Sequence, residues 1–379
     1  MHKRGQRLRA TLALMGTIIG AGIFGVPAMM GAWGIPLATA AFALVTAIVL
    51  AVHLFMAEAV IGEGRDMRLA GLAWKRLGPA GGIVAGLAQT LQVFGSNLAY
   101  LILGGSFLSV IALKIGITIP LLTWQVLFWV GGTVAVLVGL KSLAKIEAFL
   151  TWLLIAVMIL IIGTVAGRMD FGLLLSGPVG ITFEPYGVFL FALLGLNVIP
   201  EMEHLVDGHR GDLRLAVVRG TLASAALTYV FGISAWLASS GTLGREATDL
   251  VALLPPVLSL AIPVFGFLAV ATSYVTTAYD LGSMFYLDNH FPAWLAWTTV
   301  LGVPLALLFL TERDFLQTIG LVGAVFSALA AIMAVLVGRV ALRRKRSTSP
   351  LDWWWREGAS VVVIVLLAAG GVTWLLVAS

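Results

Sequence analysis

Windows of about twenty apolar residues, the length that crosses roughly 30 Å of hydrocarbon, follow one another along the whole chain. They cover 11–32, 36–60, 83–111, 120–140, 147–166, 184–200, 215–239, 251–285, 294–311, 315–338 and 358–378, with short polar connections between them. The pattern predicts eleven membrane-spanning helices and leaves no room for a soluble domain. The first window is too long for a secretory signal and has no cleavage site before the next one.

Two of these windows are interrupted. Span 1 reads Gly16-Thr17-Ile18-Ile19-Gly20-Ala21-Gly22-Ile23-Phe24-Gly25-Val26-Pro27. A glycine costs about 1 kcal/mol in a helix interior, and proline removes an amide donor and clashes with the preceding turn. Span 6 is short, carries Gly195 and Asn197 mid-course, and closes at Pro200. Gly22 precedes Pro27 by the five residues that separate Gly195 from Pro200. A broken helix at membrane depth survives only where its released backbone groups face protein or a watery cavity. Such a pair at corresponding positions marks the binding site of many transporters. Spans 1–5 (about 11–166) and 6–10 (about 184–338) therefore read as two halves of a 5+5 repeat within one transmembrane domain, residues 1–379, with span 11 (358–378) as an addition. Five is odd, so the second half enters the membrane inverted.

Composition agrees: 60% of the 379 residues are hydrophobic, 11% are charged, and mean hydropathy is +1.04. These values exclude a soluble globular protein. The net charge of +5 does not signal nucleic acid, because of how it is distributed. Of the 23 Lys and Arg residues, 19 fall in the segments that are cytoplasmic if the N-terminus is inside, and 4 in the others. Positive residues favour the cytoplasmic side, so the N-terminus is expected inside and the C-terminus outside. An inner (plasma) membrane of a prokaryote is the expected location. The chain has no cysteine, which excludes disulfides and thiol chemistry. The segment 63–81 mixes charge with Leu, Met and Trp and reads as an interfacial helix stopped at Gly78-Pro79. Trp353, Trp354 and Trp355 precede span 11 as an aromatic anchor.

Gly20-Ala21-Gly22-Ile23-Phe24-Gly25 matches the dinucleotide fingerprint in letters alone. No strand precedes it, and the next acidic residue is Glu58. Polar groups inside the spans are few and costly. Gln89, Gln92 and Ser96 share one face of span 3, suited to interhelical hydrogen bonds or to substrate. Thr272, Ser273, Thr276 and Thr277 of span 8 suit hydrogen bonds to their own helix or neutral oxygens for a small cation. His53, Glu58 and Asp280 read as structural or solvated groups. Glu201, Glu203, His204, Asp207, His209 and Asp212 after span 6 match no zinc signature and read as a solvated charge run. No nucleophile–base set points to an enzyme.

The span 1 motif, together with Phe191-Ala192-Leu193-Leu194-Gly195-Leu196-Asn197-Val198-Ile199-Pro200-Glu201 and Ala269-Val270-Ala271-Thr272-Ser273-Tyr274, resembles the amino acid/polyamine/organocation superfamily. The resemblance is to its amino acid/auxin or hydroxy/aromatic amino acid permease branch, and it covers nearly the whole chain. It implies an all-α LeuT-like fold and cation-coupled symport of a neutral or aromatic amino acid by alternating access. The amides of Ala21 and Gly22 would receive the carboxylate, at the positive end of a half-helix. Carbonyls around Ile18, Leu193 and Leu194 would take the ammonium, and Gln92, Ser96, Phe189 and Phe191 would line the side-chain pocket. If sodium is the coupling ion, the carbonyls of Gly16, Ile19 and Ala269 and the hydroxyls of Thr272 and Ser273 would hold it. The resemblance does not extend to the second sodium site of some relatives, since Ile23 stands where they carry asparagine. Span 5 lacks the lysine that some proton-coupled relatives place near the first ion site, which leans toward Na⁺ over H⁺. No cofactor, metal beyond sodium or nucleic-acid partner is expected, and a monomer in the bilayer suffices. The alternatives are a metal-ion transporter of the same fold, disfavoured because no acid lies between residues 11 and 57, and a nontransporting receptor. On this reading Gly22→Val removes binding and leaves the fold intact.

Overall fold

The computed structural model describes residues 2–61, 67–138, 143–177, 183–288, 291–343 and 354–378. Among these residues the chain is all-helical, with short 3-10 and π turns. Among the described residues nine helices are at least 18 residues long and apolar enough to cross a membrane. A bent pair, Arg4–Ile18 with Ala21–Ala32, makes a tenth, and Leu121–Leu137 is an apolar helix of 17 residues.

The helices run α1 (His2–Ile18), α2 (Val26–Ala32), α3 (Ile35–Val60), α4 (Leu69–Lys114), α5 (Leu121–Leu137), α6 (Leu143–Val165) and α7 (Glu184–Leu193). They continue as α8 (Ile199–Leu205), α9 (Arg210–Ala238), α10 (Ala261–Ser283), α11 (Ala293–Leu310), α12 (Phe315–Leu321), α13 (Ala328–Arg343) and α14 (Ser360–Ala378). Span 1 is α1 plus α2, span 6 is α7 plus α8, and span 10 is α12 plus α13 across a π turn at Val322–Ser327. The core is continuous through the molecule, with α3 packed on α9 and α13, and α4 packed on α5, α10 and α13.

Leu137, Leu310 and Leu376 stand 59%, 79% and 74% exposed. Such an apolar outer surface suits lipid and would aggregate in water.

Three sequence boundaries are corrected. Span 8 begins at Ala261, not 251, because Pro255 and Pro256 cannot extend a helix and the preceding residues form 3-10 turns at Ala247–Leu253 and Pro256–Leu258. Span 1 starts at His2, nine residues earlier than hydropathy places it, because a helix continues past its apolar part. Span 3 is continuous with the amphipathic segment before it: α4 runs from Leu69 and kinks at Gly78 (φ 82°, ψ −176°), a conformation only glycine adopts readily. Residues 63–66 of that segment and Trp353 lie outside the described residues. Before the kink, Arg76 donates to Ala59 O at 2.8 Å and Val337 O at 3.2 Å, tying the segment to α3 and α13.

Ion pairs close both ends of the bundle. At the end expected inside, Glu58 of α3 is 1% exposed and accepts from Arg210 (3.1 and 2.7 Å) and Arg214 (2.5 Å) of α9. Arg7 meets Asp212 at 3.3 Å, Gln6 donates to Asp207 at 2.5 Å, and Arg68 meets Asp280 at 3.7 Å. The charge run after span 6 thus docks the N-terminus of α1. Among the described residues no group of three or more His, Cys, Asp or Glu could hold a metal. At the other end Arg245 bonds both oxygens of Glu184, each at 2.9 Å, and approaches Asp314 at 3.5 Å. The Glu184 hydrogen bond holds that guanidinium above its ordinary range.

The buried carboxylate makes a stability prediction. Taking partners away from a buried charge costs up to about 3–5 kcal/mol. Arg210→Ala with Arg214→Ala should therefore lower the detergent melting temperature more than Glu58→Gln, which leaves two arginines 40% and 42% exposed. Equal or reversed shifts in a thermal unfolding assay would mean that Glu58 is stabilised by something else.

Candidate substrate and ion site

The two breaks face each other. α1 ends where Gly20 N–H donates to Ile18 O at 2.9 Å instead of reaching four residues back to Gly16. Ile23 N–H likewise turns to Gly20 O (3.4 Å) rather than Ile19 O. The carbonyls of Gly16 and Ile19 thereby lose their regular helical donors. A 3-10 turn, Ala21–Phe24, leads into α2, and the pair is bent by 49°. The amides of Ala21 and Gly22 open that turn, where a helix leaves its first N–H groups without an internal acceptor.

In span 6, α7 ends with Leu194 N–H on Leu190 O (3.1 Å), and Leu194 is extended (φ −85°, ψ 113°). Gly195 N–H then leaves the helix pattern and donates to Nε2 of His53 at 3.0 Å. A 3-10 turn at Leu196–Val198 leads to α8.

The break of span 1 lies against the main chain of α7, and the break of span 6 lies against side chains of α1. A β-carbon on Gly22 would lie 2.5 Å from Ala192 Cα, and one on Gly195 would lie 2.9 Å from Cγ1 of Ile18. This corrects the expectation for Gly22→Val: such a side chain collides with the main chain of α7, so it disturbs the fold as well as the amide. Ile18, Ala21 and Leu193 are buried at 3%, 1% and 1% exposure, and Leu194 and Phe191 are half-buried.

Phe189 is fully buried and packs edge-on against Phe42 of α3, centroids 5.2 Å apart. Gln92 donates to Ser327 Oγ at 3.1 Å, at the end of the π turn in span 10, and Ser96 is buried beside it on α4. Gln89, Asn197, Thr277 and Asp280, together with apolar residues such as Met56, Val93 and Leu281, line a cavity of about 30 Å³. That is room for a water or two, not for an amino acid.

The proposed ion ligands come together completely. Gly16, Ile19, Ala269, Thr272 and Ser273 line one cavity of about 30 Å³, joined by Phe265, Leu154 and Thr151. Thr272 Oγ1 donates to Leu268 O (3.1 Å) and Ala269 O (3.0 Å), and Ser273 Oγ donates to Ala269 O (2.9 Å). Both hydroxyls spend their protons on α10 and keep lone pairs. Thr151 is the residue sequence reasoning missed: it is 4% exposed, and its Oγ1 would lie 2.4 Å from a β-carbon on Gly16. No motif surrounds it. The only hint was the absence of lysine in span 5.

A broken, bent span 1 against a broken span 6, beside a small cavity that Thr151, Thr272 and Ser273 help to line, is the arrangement of a transporter's central site. The sequence profile of the tryptophan/tyrosine permease family matches residues 3–377. The chain belongs to the tryptophan/tyrosine permease family. It is thus an integral membrane protein, a secondary amino acid transporter with a small-molecule substrate, and not an enzyme.

This permease is 25% identical over 381 residues to the tryptophan-specific transport protein of Pseudomonas aeruginosa (strain UCBPP-PA14), covering 92% of this chain and 89% of the relative. Its fold is similar to that of MhsT in complex with L-phenylalanine, with a TM-score of 0.70 at 16% identity over 97% and 98% of the two chains. It is also similar to that of Mhp1, a nucleobase-cation-symport-1 family transporter, with a TM-score of 0.65 at 17% identity over 97% and 88%. The fold is LeuT-like.

Proposed function

We propose that this permease moves an aromatic amino acid by alternating access, coupled to sodium, as a monomer in a prokaryotic plasma membrane with its N-terminus inside. The observation that carries the reading is the contact between the two breaks. The Ala21 and Gly22 amides open a helix start, whose partial positive charge suits a carboxylate. The carbonyls at the end of α7, around Leu193 and Leu194, suit the ammonium. Neutral Gln92 and Ser96 and half-buried Phe191 present no fixed charge, which favours a neutral side chain. A relative named tryptophan-specific supports aromatic substrates. In this conformation ion pairs pin both ends, so moving substrate requires one end to part while the other holds.

Sodium is favoured by the second cavity, whose size suits one water or one small cation and whose lining residues include three with hydroxyls and none with a carboxylate. Uptake of labelled tryptophan, tyrosine and phenylalanine into proteoliposomes, with sodium and proton gradients imposed separately, tests both parts. Saturable aromatic uptake driven by sodium is expected. Uptake that follows only the proton gradient overturns the coupling, and no saturable aromatic uptake under either gradient overturns the substrate.

A further inference from the structure

His53 lies two turns before the C-terminal end of α3, fully buried. Its Nε2 is 3.0 Å from Gly195 N, in the break of span 6, and its Nδ1 is 2.9 Å from Thr221 Oγ1 on α9. A backbone N–H can only donate, so Nε2 must present its lone pair. The ring proton is then on Nδ1, and Thr221 Oγ1 accepts it. One neutral imidazole therefore fixes three elements: α3 by covalent attachment, α9 by the Nδ1–H bond, and the unwound backbone of span 6 by accepting its amide.

That amide is the first N–H after α7 to leave the helical pattern, since Leu194 N–H still reaches Leu190 O. An unpaired N–H buried at this depth would be costly, and a regular helix would give it Phe191 O. His53 supplies the alternative acceptor that lets α7 stop where it does. Phe191 O is thereby released from its usual donor, beside the carbonyls of Leu193 and Leu194. Among the described residues no backbone carbonyl accepts from the Gly195 amide, and its bond goes to His53.

We propose that His53 is a positioning residue of the transport site. In its neutral Nδ1–H form it holds the span 6 break open and makes that break travel with α3 and α9 as one body. The proposal rests on the reading above that the break receives the substrate ammonium. It concerns the backbone of the site, so it applies whichever amino acid is carried.

Two conservative variants separate this role from simple volume. A glutamine amide reaches the place of Nε2, so His53→Gln keeps an acceptor for Gly195. An asparagine amide reaches only the place of Nδ1, so His53→Asn keeps a partner for Thr221 and loses the one for Gly195. The first readout is hydrogen–deuterium exchange of a peptide across residues 190–200 in the purified full-length protein, which needs no substrate. His53→Asn should raise exchange at the break, while His53→Gln should match the wild type.

The second readout is uptake kinetics. His53→Asn should raise KM by about tenfold, the effect of one orphaned buried amide, whereas His53→Gln should stay within about threefold, since its acceptor is retained. If both variants exchange like the wild type, Gly195 does not depend on the ring. If both exchange faster to the same extent, the ring acts through packing. Either result overturns the proposal. Altered exchange in His53→Asn alone, with no aromatic uptake by the wild type, would keep the latch and reject the substrate reading.

Discussion

Gly22→Ala abolishes saturable uptake and lowers the melting temperature of the purified permease by several degrees. One methyl group acts in two ways here. It stands where the substrate carboxylate must reach the Ala21 and Gly22 amides, and its β-carbon falls 2.5 Å from Ala192 Cα and 3.2 Å from Ala192 N. Those are main-chain atoms that no rotamer change can move aside, so α7 itself must shift. Overpacking of this kind costs about 1–3 kcal/mol. The control is Gly131→Ala in the middle of α5, where the added carbon meets nothing within 4 Å. There the substitution should leave uptake unchanged and stabilise slightly, because alanine is the better helix former. Wild-type uptake by Gly22→Ala would place the carboxylate elsewhere and show that the breaks separate at little cost.

Much of this was legible in the sequence because the bilayer imposes a strong grammar. Apolar windows have a required length, and glycine and proline inside them have few uses, so the breaks in spans 1 and 6 could be placed to within a few residues. The Gly16, Ile19, Ala269, Thr272 and Ser273 cavity came through the resemblance, and the structure assembles all five around one small space. What was not legible depends on side chains that meet across distant helices. His53 and Thr221 are separated by 168 residues, and His53 and Gly195 by 142; no local pattern links either pair. Glu58 reads in the sequence as a structural group, and only the packing of α3 on α9 reveals Arg210 and Arg214 as partners. Phe189 carries no sign in the sequence that it packs on Phe42. Span 8 was drawn ten residues too long because hydropathy counts proline-rich apolar turns as if they were helix.

Thr272→Ala with Ser273→Ala should raise the sodium concentration needed for half-maximal uptake by at least about tenfold, the loss expected when two oxygen ligands of a hard cation are deleted. The fold should survive, because both hydroxyls bond back to α10 (3.0 and 2.9 Å to Ala269 O) and such bonds add little to a helix. Substrate affinity should weaken in parallel whenever sodium is present, since ion and substrate binding are linked reciprocally. Thr151→Lys sharpens the test from the opposite wall of the cavity. An ammonium carried on α6 would occupy the space meant for a cation, whose volume is about 30 Å³. That variant should lose its response to sodium whether or not residual uptake persists, and the double alanine variant should keep a weakened response. If sodium stimulates Thr151→Lys as strongly as the wild type, the coupling ion does not bind between α1, α6 and α10.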